Sequence, residues 1–211
     1  MHKGSQETYE YISKFITSNF FFSVNDVWHR MGILGVFGDY VLSCTFGDVL
    51  EIGCGESSIY LAKVAKKYNR HIYHCDLAPS KIDNPLTVPG YMEPEIATFY
   101  RGASDQMFKD LKLTTLALVF IDGDHIYEQV KKDFDNVVPY VVDNGYILLH
   151  DTYPPDESYV DENRCGTVYK LRQELEKDER FDCITLPKGT AMSVGITIVR
   201  KKPLNRPYYN E

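Results

Sequence analysis

No apolar run in this chain is long enough to cross a bilayer. The longest candidate, Leu116 to Ile121, has the length of a strand, against the roughly 18 residues that a spanning helix needs. Cysteine is sparse and unpatterned. Cys44, Cys54, Cys75, Cys165 and Cys183 are odd in number and contain no CxxC pair, which argues against a disulfide framework and a zinc site. The residues from Met1 to Glu7 lead into a polar helical pattern and lack the apolar core and cleavage site of a signal peptide. Reduced thiols and a cytoplasmic location are therefore expected. Positive charge is in the minority, with 23 Lys and Arg against 30 Asp and Glu for a net charge of -7. Such a surface disfavours a phosphate backbone as partner. The one basic run, Lys66-Lys67 with Arg70, falls at the end of an expected helix, where it complements the dipole. Two motifs are also missing. There is no G-x-S-x-G elbow and no Walker lysine, which removes hydrolase and P-loop readings.

What remains is ordinary globular material: 211 residues, 44% hydrophobic and 25% charged, enough for one sizeable core. Tyr9, Ile12, Ile16 and Phe20 recur at helical spacing, and residues 24 to 44 read as short helices. Strands are expected at 48–52, 72–75, 97–101, 116–121, 146–149, 181–186 and 193–200. Helices are expected at 59–68 and 106–111, along the face Ile126, Val130, Phe134, Val137 and Val141, and at Val168, Leu171 and Leu175. Asp143-Asn144-Gly145 reads as a turn, residues 78–94 with four prolines as an irregular excursion, and Pro187 to Thr190 as a hairpin loop. Strands alternating with helices imply an α/β fold. The expectation is a seven-stranded, mostly parallel, Rossmann-like sheet with helices on both faces and an antiparallel hairpin at one edge. A helical extension at 1–46, an α/β domain at 47–202 and a tail at 203–211 complete the layout.

In such sheets ligands bind beyond the carboxyl ends of the strands, near the point where strand order reverses. Four polar sites directly follow apolar strands. The first is Glu51-Ile-Gly53-Cys-Gly55-Glu-Ser57. Its glycines leave room for a ligand against the main chain, and the helix behind it offers unpaired N–H groups. A plain strand-to-helix turn with a serine cap reads equally well from the two glycines alone. The absent third glycine argues against a dinucleotide. The second is Asp76, 25 positions after Glu51, where an acidic residue accepts from ribose hydroxyls. The third is Asp122-Gly-Asp124-His125. Asp124 is expected to cap the following helix, Asp122 to face a ligand or metal, and His125 to act as a general base, since an unperturbed imidazole titrates near 6.5. The fourth is His150-Asp151. If its strand neighbours that of Asp122, then Asp122 and Asp151 form a carboxylate pair able to hold a hard cation such as Mg²⁺, with His150 as base or ligand.

These motifs resemble the class I S-adenosylmethionine-dependent methyltransferases over about residues 45 to 200. Val49-Leu-Glu-Ile-Gly-Cys-Gly55 is similar to the family's acidic G-x-G motif. Phe120-Ile-Asp-Gly-Asp-His-Ile-Tyr-Glu-Gln-Val130, continuing through Asp133, Pro139 and Gly145-Tyr-Ile-Leu-Leu-His-Asp-Thr152, resembles the small-molecule branch near the cephalosporin-hydroxylase-like and sugar or catechol O-methyltransferases. The resemblance implies that Glu51, Gly53, Gly55 and Ser57 line the methionine part of the cofactor, Asp76 holds the ribose, and Ala103 and Ser104 edge the adenine. It places Asp122 at the methionine or a metal, and His125 and His150 at the reaction centre. Thr152 stands where metal-dependent relatives carry a third ligand, Asn or Asp, and Gly102-Ala103-Ser104-Asp105 lacks an acid directly after its glycine. The implied activity is transfer of a methyl group from S-adenosylmethionine to a small molecule, expected at oxygen, with Mg²⁺ and self-association as further options. Rival readings are a methyltransferase-fold protein that binds cofactor without turnover, a nucleotide-dependent oxidoreductase, and an iron- and oxygen-requiring hydroxylase. The acidic loop 153–167 after Asp151 is positioned to close over an acceptor. Phe20 to Phe22 and Trp28 are expected mainly to pack.

Overall fold

A computed structural model describes residues 32–78, 96–161, 163–187 and 194–203. In chain order the elements are α1 (Gly32–Cys44), β1 (Asp48–Ile52), α2 (Ser57–Lys67), β2 (Ile72–Asp76), β3 (Ala97–Arg101), α3 (Ser104–Asp110), β4 (Leu116–Ile121), α4 (Tyr127–Val137), β5 (Val141–His150), α5 (Tyr169–Leu175), β6 (Phe181–Leu186) and β7 (Ile196–Lys201). One 3₁₀ turn, Glu157–Tyr159, lies between β5 and α5. The seven strands form one sheet in the order β3-β2-β1-β4-β5-β7-β6. β1 to β5 run parallel, and β7 pairs antiparallel with both β5 and β6. The chain winds outward from β1 to β3 and returns beside β1 with β4, so the strand order reverses between β1 and β4.

Side chains on successive strand residues point to opposite faces, and each face builds its own core. Val49, Leu118, Phe120 and Leu148 pack with Leu34, Val41, Leu61 and Val64 of α1 and α2. Leu50, Ile52, Val119 and Ile121 pack with Met107, Val130, Phe134, Val137, Leu171 and Leu175 of α3, α4 and α5. β4 is buried at every position, as a strand covered on both faces must be. Lys67 ends α2 and pairs with the buried Asp39 of α1, so this basic residue ties two helices together.

The structure differs from the expectation at Asp143-Asn144-Gly145. The strand begins at Val141 rather than Tyr146, and these residues form an irregularity within it. Leu116 pairs with Val141 and Leu118 with Tyr146, so the four residues Val142 to Gly145 of β5 stand against Ala117 alone of β4. Asn144 takes a positive φ of 63° there, which is the turn character seen in the sequence, absorbed by a bulge. α1 is one helix over the described part of 24–44. The expected helix at 8–20, the aromatics Phe20 to Phe22 and Trp28, the excursion at 79–94, most of the hairpin loop after Pro187 and the tail from 204 lie outside the described residues.

Candidate active site at the strand ends

The reversal between β1 and β4 opens a cleft lined by Ile52 and Gly53 after β1, Cys75, Asp76 and Leu77 after β2, Gly102 to Asp105 after β3, Gly123 and Asp124 after β4, and Gln129 and Asp133 of α4. Its cavity volume is about 180 Å³.

The floor is set by crossing backbones. Gly53 has φ +90°, and a Cβ there would lie 2.2 Å from the Asp122 carbonyl oxygen. Only glycine lets the end of β1 pass so close to the end of β4. Gly53 N–H donates to Cys75 O at 2.8 Å and Asp122 N–H to Ile52 O at 2.8 Å, which locks the three strand ends together. Gly55 is different, because a Cβ there would meet nothing within 4 Å. The protein itself does not need Gly55 to be small.

Asp76 stands on the cleft wall and is 8% exposed. Its Oδ2 accepts from Cys54 N–H at 2.8 Å and its Oδ1 from Ala78 N–H at 2.6 Å. Both oxygens are thereby aimed by backbone donors. Ala103 and Ser104 also line the cleft.

Glu51 and Ser57 are placed elsewhere. Glu51 alternates with Leu50 and Ile52, so it points to the other face of β1, and neither it nor Ser57 lines the cleft. Both are buried. Ser57 Oγ donates to Glu51 Oε1 at 2.5 Å, Ser58 Oγ donates to Glu51 Oε2 at 2.7 Å, and His74 Nδ1 lies 2.5 Å from the same Oε2. These residues brace the glycine turn from beneath. The two serines bind Glu51 and do not cap the N–H groups at the start of α2. Cys54 completes a buried trio with Glu51 and His74, but burial, reinforced by Glu51 and Asp76, pushes its thiol far up. A protonated thiol is a poor metal ligand.

The remaining expected residues form a line of alternating carboxylates and imidazoles. Asp122 Oδ1 lies 3.0 Å from His150 Nδ1, which lies 3.2 Å from Asp151 Oδ2, which in turn lies 3.1 Å from His125 Nε2. His150 Nδ1 is buried between the two carboxylates without hydrogen-bond alignment to either. Burial alone depresses the imidazolium, but Asp122 and Asp151 outweigh it and hold His150 up at about 10. Asp151 is raised by burial, yet His125 and His150 bring it down to about 2. Asp122 and Asp151 thus favour the charged form of His150, which weighs against its expected role as a base. His125 is the more exposed imidazole, its side chain 26% accessible against 11% for His150. Asp124 accepts from Ile126 N–H at 2.8 Å in a local turn before α4, but it does not cap the helix as expected: the N-cap is Ile126 without a side-chain cap, and Tyr127 N–H donates to Thr167 Oγ1 at 2.8 Å. Gly166 presses on the His125 carbonyl, and Thr167 N–H donates to it at 2.8 Å, so the end of the acidic loop fixes the histidine turn. Thr152 is buried, and its Oγ1 accepts from Thr197 Oγ1 at 2.8 Å.

Sequence reasoning assigned no role to Asp133 or Gln129. Asp133 is 1% exposed, and its Oδ1 accepts from Ser104 Oγ at 2.5 Å and from Gln129 Nε2 at 3.0 Å. Its position was a usable signal, being a carboxylate beside Val130, Phe134 and Val137 on the buried stripe of α4.

Residues 50–152 match the family model described as a methyltransferase domain. No curated protein matches the chain significantly in sequence. Among solved structures, the O-methyltransferase TomG from Streptomyces achromogenes, involved in tomaymycin synthesis and in complex with SAM, is similar at TM-score 0.65 and 14% identity over 82% of this chain and 80% of that one. An O-methyltransferase from Bacillus cereus in complex with SAH is similar at TM-score 0.61 and 13% identity over 93% and 99%. An SAH-bound methyltransferase from Podospora anserina is similar at TM-score 0.62 and 19% identity over 93% and 96%. The sheet order is the Rossmann-like one that these solved structures share, and the segment that matches the methyltransferase model spans its first five strands.

Proposed function

We propose that this chain is an enzyme that transfers the methyl group of S-adenosylmethionine to an oxygen of a small molecule. The observation that carries the reading is the cleft at the strand reversal, with Asp76 braced by two backbone N–H groups where a ribose would lie. The nucleoside occupies the cleft between Asp76 and Ala103-Ser104. The methionine part runs over Gly53 and Gly55, where open space at Gly55 admits it. The methyl end then faces the line Asp122, His150, Asp151 and His125.

Methyl transfer asks the protein for alignment and the removal of one proton, because the sulfonium is already activated. His125 takes the proton from the acceptor hydroxyl. Asp151, held ionised, orients that imidazole and stabilises its charged form. His150 neutralises part of the negative charge that Asp122 and Asp151 bring together.

The donor set does not fit Mg²⁺. Asp122, His150 and Asp151 bring their ligand atoms within 4.8 Å of one another, but the set includes an imidazole, whereas that ion demands oxygen ligands in near-octahedral array. The Thr152 hydroxyl, in the place of a third ligand, is turned into the core toward Thr197. Among the described residues no helix is long and apolar enough to cross a membrane, in keeping with a small dissolved acceptor.

The test is product formation. Wild-type protein with S-adenosylmethionine and a panel of phenolic, catecholic and sugar hydroxyl acceptors is expected to release S-adenosylhomocysteine, undiminished by a chelator. Cofactor bound without turnover on any acceptor favours a protein that binds and does not catalyse.

A further inference from the structure

The loop after β5 joins two residues of the candidate site through its backbone. It leaves from Asp151, whose φ of 56° lies in the left-handed region. Tyr153 N–H pins its first residues to Val194 O at 2.7 Å. It returns at Gly166 and Thr167, against the turn from His125 to Tyr127. Gly166 has φ +52°, and a Cβ there would lie 1.9 Å from the His125 carbonyl oxygen, so only glycine lets the returning chain come this close. Thr167 then grips the turn twice. Its N–H donates to His125 O at 2.8 Å, and its Oγ1 accepts from Tyr127 N–H at 2.8 Å. The second bond satisfies an amide at the head of α4, where Ile126 offers no side-chain cap. Within the loop, Cys165 N–H donates to Tyr159 O at 3.1 Å and Gly166 N–H to Asp161 O at 2.9 Å, which ties Thr167 to the acidic turn before it. Across the gap, His125 Nε2 lies 3.1 Å from Asp151 Oδ2. The two ends of the loop thus meet at one imidazole–carboxylate contact.

We propose that Thr167 is a positioning residue for His125, coupling the seating of the loop after Asp151 to the contact between the His125 imidazole and the Asp151 carboxylate. The inference rests on the reading above, in which His125 takes the acceptor proton. Thr167 acts through the backbone and does not touch the reacting atoms. Its N–H holds the peptide unit before Ile126, and its hydroxyl holds the one after it. Peptide units are planar, so two such anchors fix the orientation of the turn that carries the imidazole. With the hydroxyl anchor gone, the turn can pivot and draw His125 away from Asp151, and a base slightly out of line loses rate. The loop is also the segment expected to cover the acceptor, so Thr167 makes the alignment of the base depend on that same segment.

The test is the NMR spectrum of the histidine side-chain nitrogens in the whole protein at neutral pH. His125→Ala assigns the His125 signals, and Asp151→Asn gives their positions when the ionic contact is lost. Thr167→Val keeps the side-chain shape and the backbone N–H but removes the acceptor. It is expected to move the His125 signals at least halfway to the Asp151→Asn positions, while Thr167→Ser leaves them where wild type has them. On a hydroxyl acceptor that wild type methylates, Thr167→Val is expected to lower kcat by about 10- to 100-fold, with the affinity for S-adenosylhomocysteine unchanged and Thr167→Ser restoring the rate. His125 signals that stay in place in Thr167→Val, or that move equally in Thr167→Ser, overturn the positioning role whatever the protein methylates. The expected signals without turnover on any acceptor overturn the methyl-transfer reading and leave the coupling of Thr167 to His125 standing.

Discussion

Asp133 is ionised at neutral pH against the preference of its surroundings, and this has a measurable sign. Its carboxyl is lifted from 3.8 to about 6 by burial, with Asp105 and Asp124 adding to the rise against the hydrogen bonds from Ser104 and Gln129. A group raised in the folded state favours folding fully below its unfolded value and loses that contribution as pH climbs through about 6. At pH 7.5 the ligand-free protein bears a penalty of about 3 kcal/mol from a shift of this size. Asp133→Asn is therefore expected to raise Tm more at pH 7.5 than at pH 5, measured by thermal unfolding without ligand. His150 has the opposite character. Its charged form is the stabilised one, so its contribution is whole below about 6.5 and fades as pH rises toward about 10. His150→Leu leaves Asp122 and Asp151 facing each other uncompensated, and is expected to cost about 3–5 kcal/mol in denaturant unfolding at pH 7. His125→Ala should lower kcat by about 10²- to 10⁴-fold, as loss of a general base does, with the affinity for S-adenosylhomocysteine unchanged.

The turn between β1 and α2 separates two kinds of glycine. At Gly53 a side chain would strike the Asp122 carbonyl and would need a positive φ of 90°. Gly53→Ala is expected to destabilise the fold by at least about 1–3 kcal/mol, seen as a lower midpoint in urea. At Gly55 the fold has space to spare, so Gly55→Ala should leave the midpoint nearly unchanged and weaken cofactor binding alone. Such a contrast was not legible in the sequence, where both read as members of one motif. Glu51 was misplaced for a related reason. Strand period 2 puts it on the face away from Ile52, but a motif quoted as a string carries no face. The elements themselves were legible because their signals are strong and local. Leu116 to Ile121 is uniformly apolar, and Val130, Phe134 and Val137 mark a helix stripe. Val141 was assigned to that stripe and lies instead in β5, because Asn144 and Gly145 let the strand bulge and continue.

For the molecule as a whole, the alternation of strands and helices gave the parallel sheet and its antiparallel edge, and topology then named the strand ends that carry Asp76, Asp122 and Asp151. The charge state of His150 and the convergence of Ser104, Gln129 and Asp133 depend on distances between elements that no local pattern encodes. The account as a whole stands on one claim, that the cleft between β1, β2, β3 and β4 holds an adenosyl cofactor through Asp76. Calorimetric titration of S-adenosylhomocysteine into wild type and Asp76→Ala tests it most directly. The account expects micromolar affinity in wild type, about -8 kcal/mol, and its loss in Asp76→Ala with the thermal unfolding of the variant intact. No binding to wild type, or equal binding to both proteins, would contradict it.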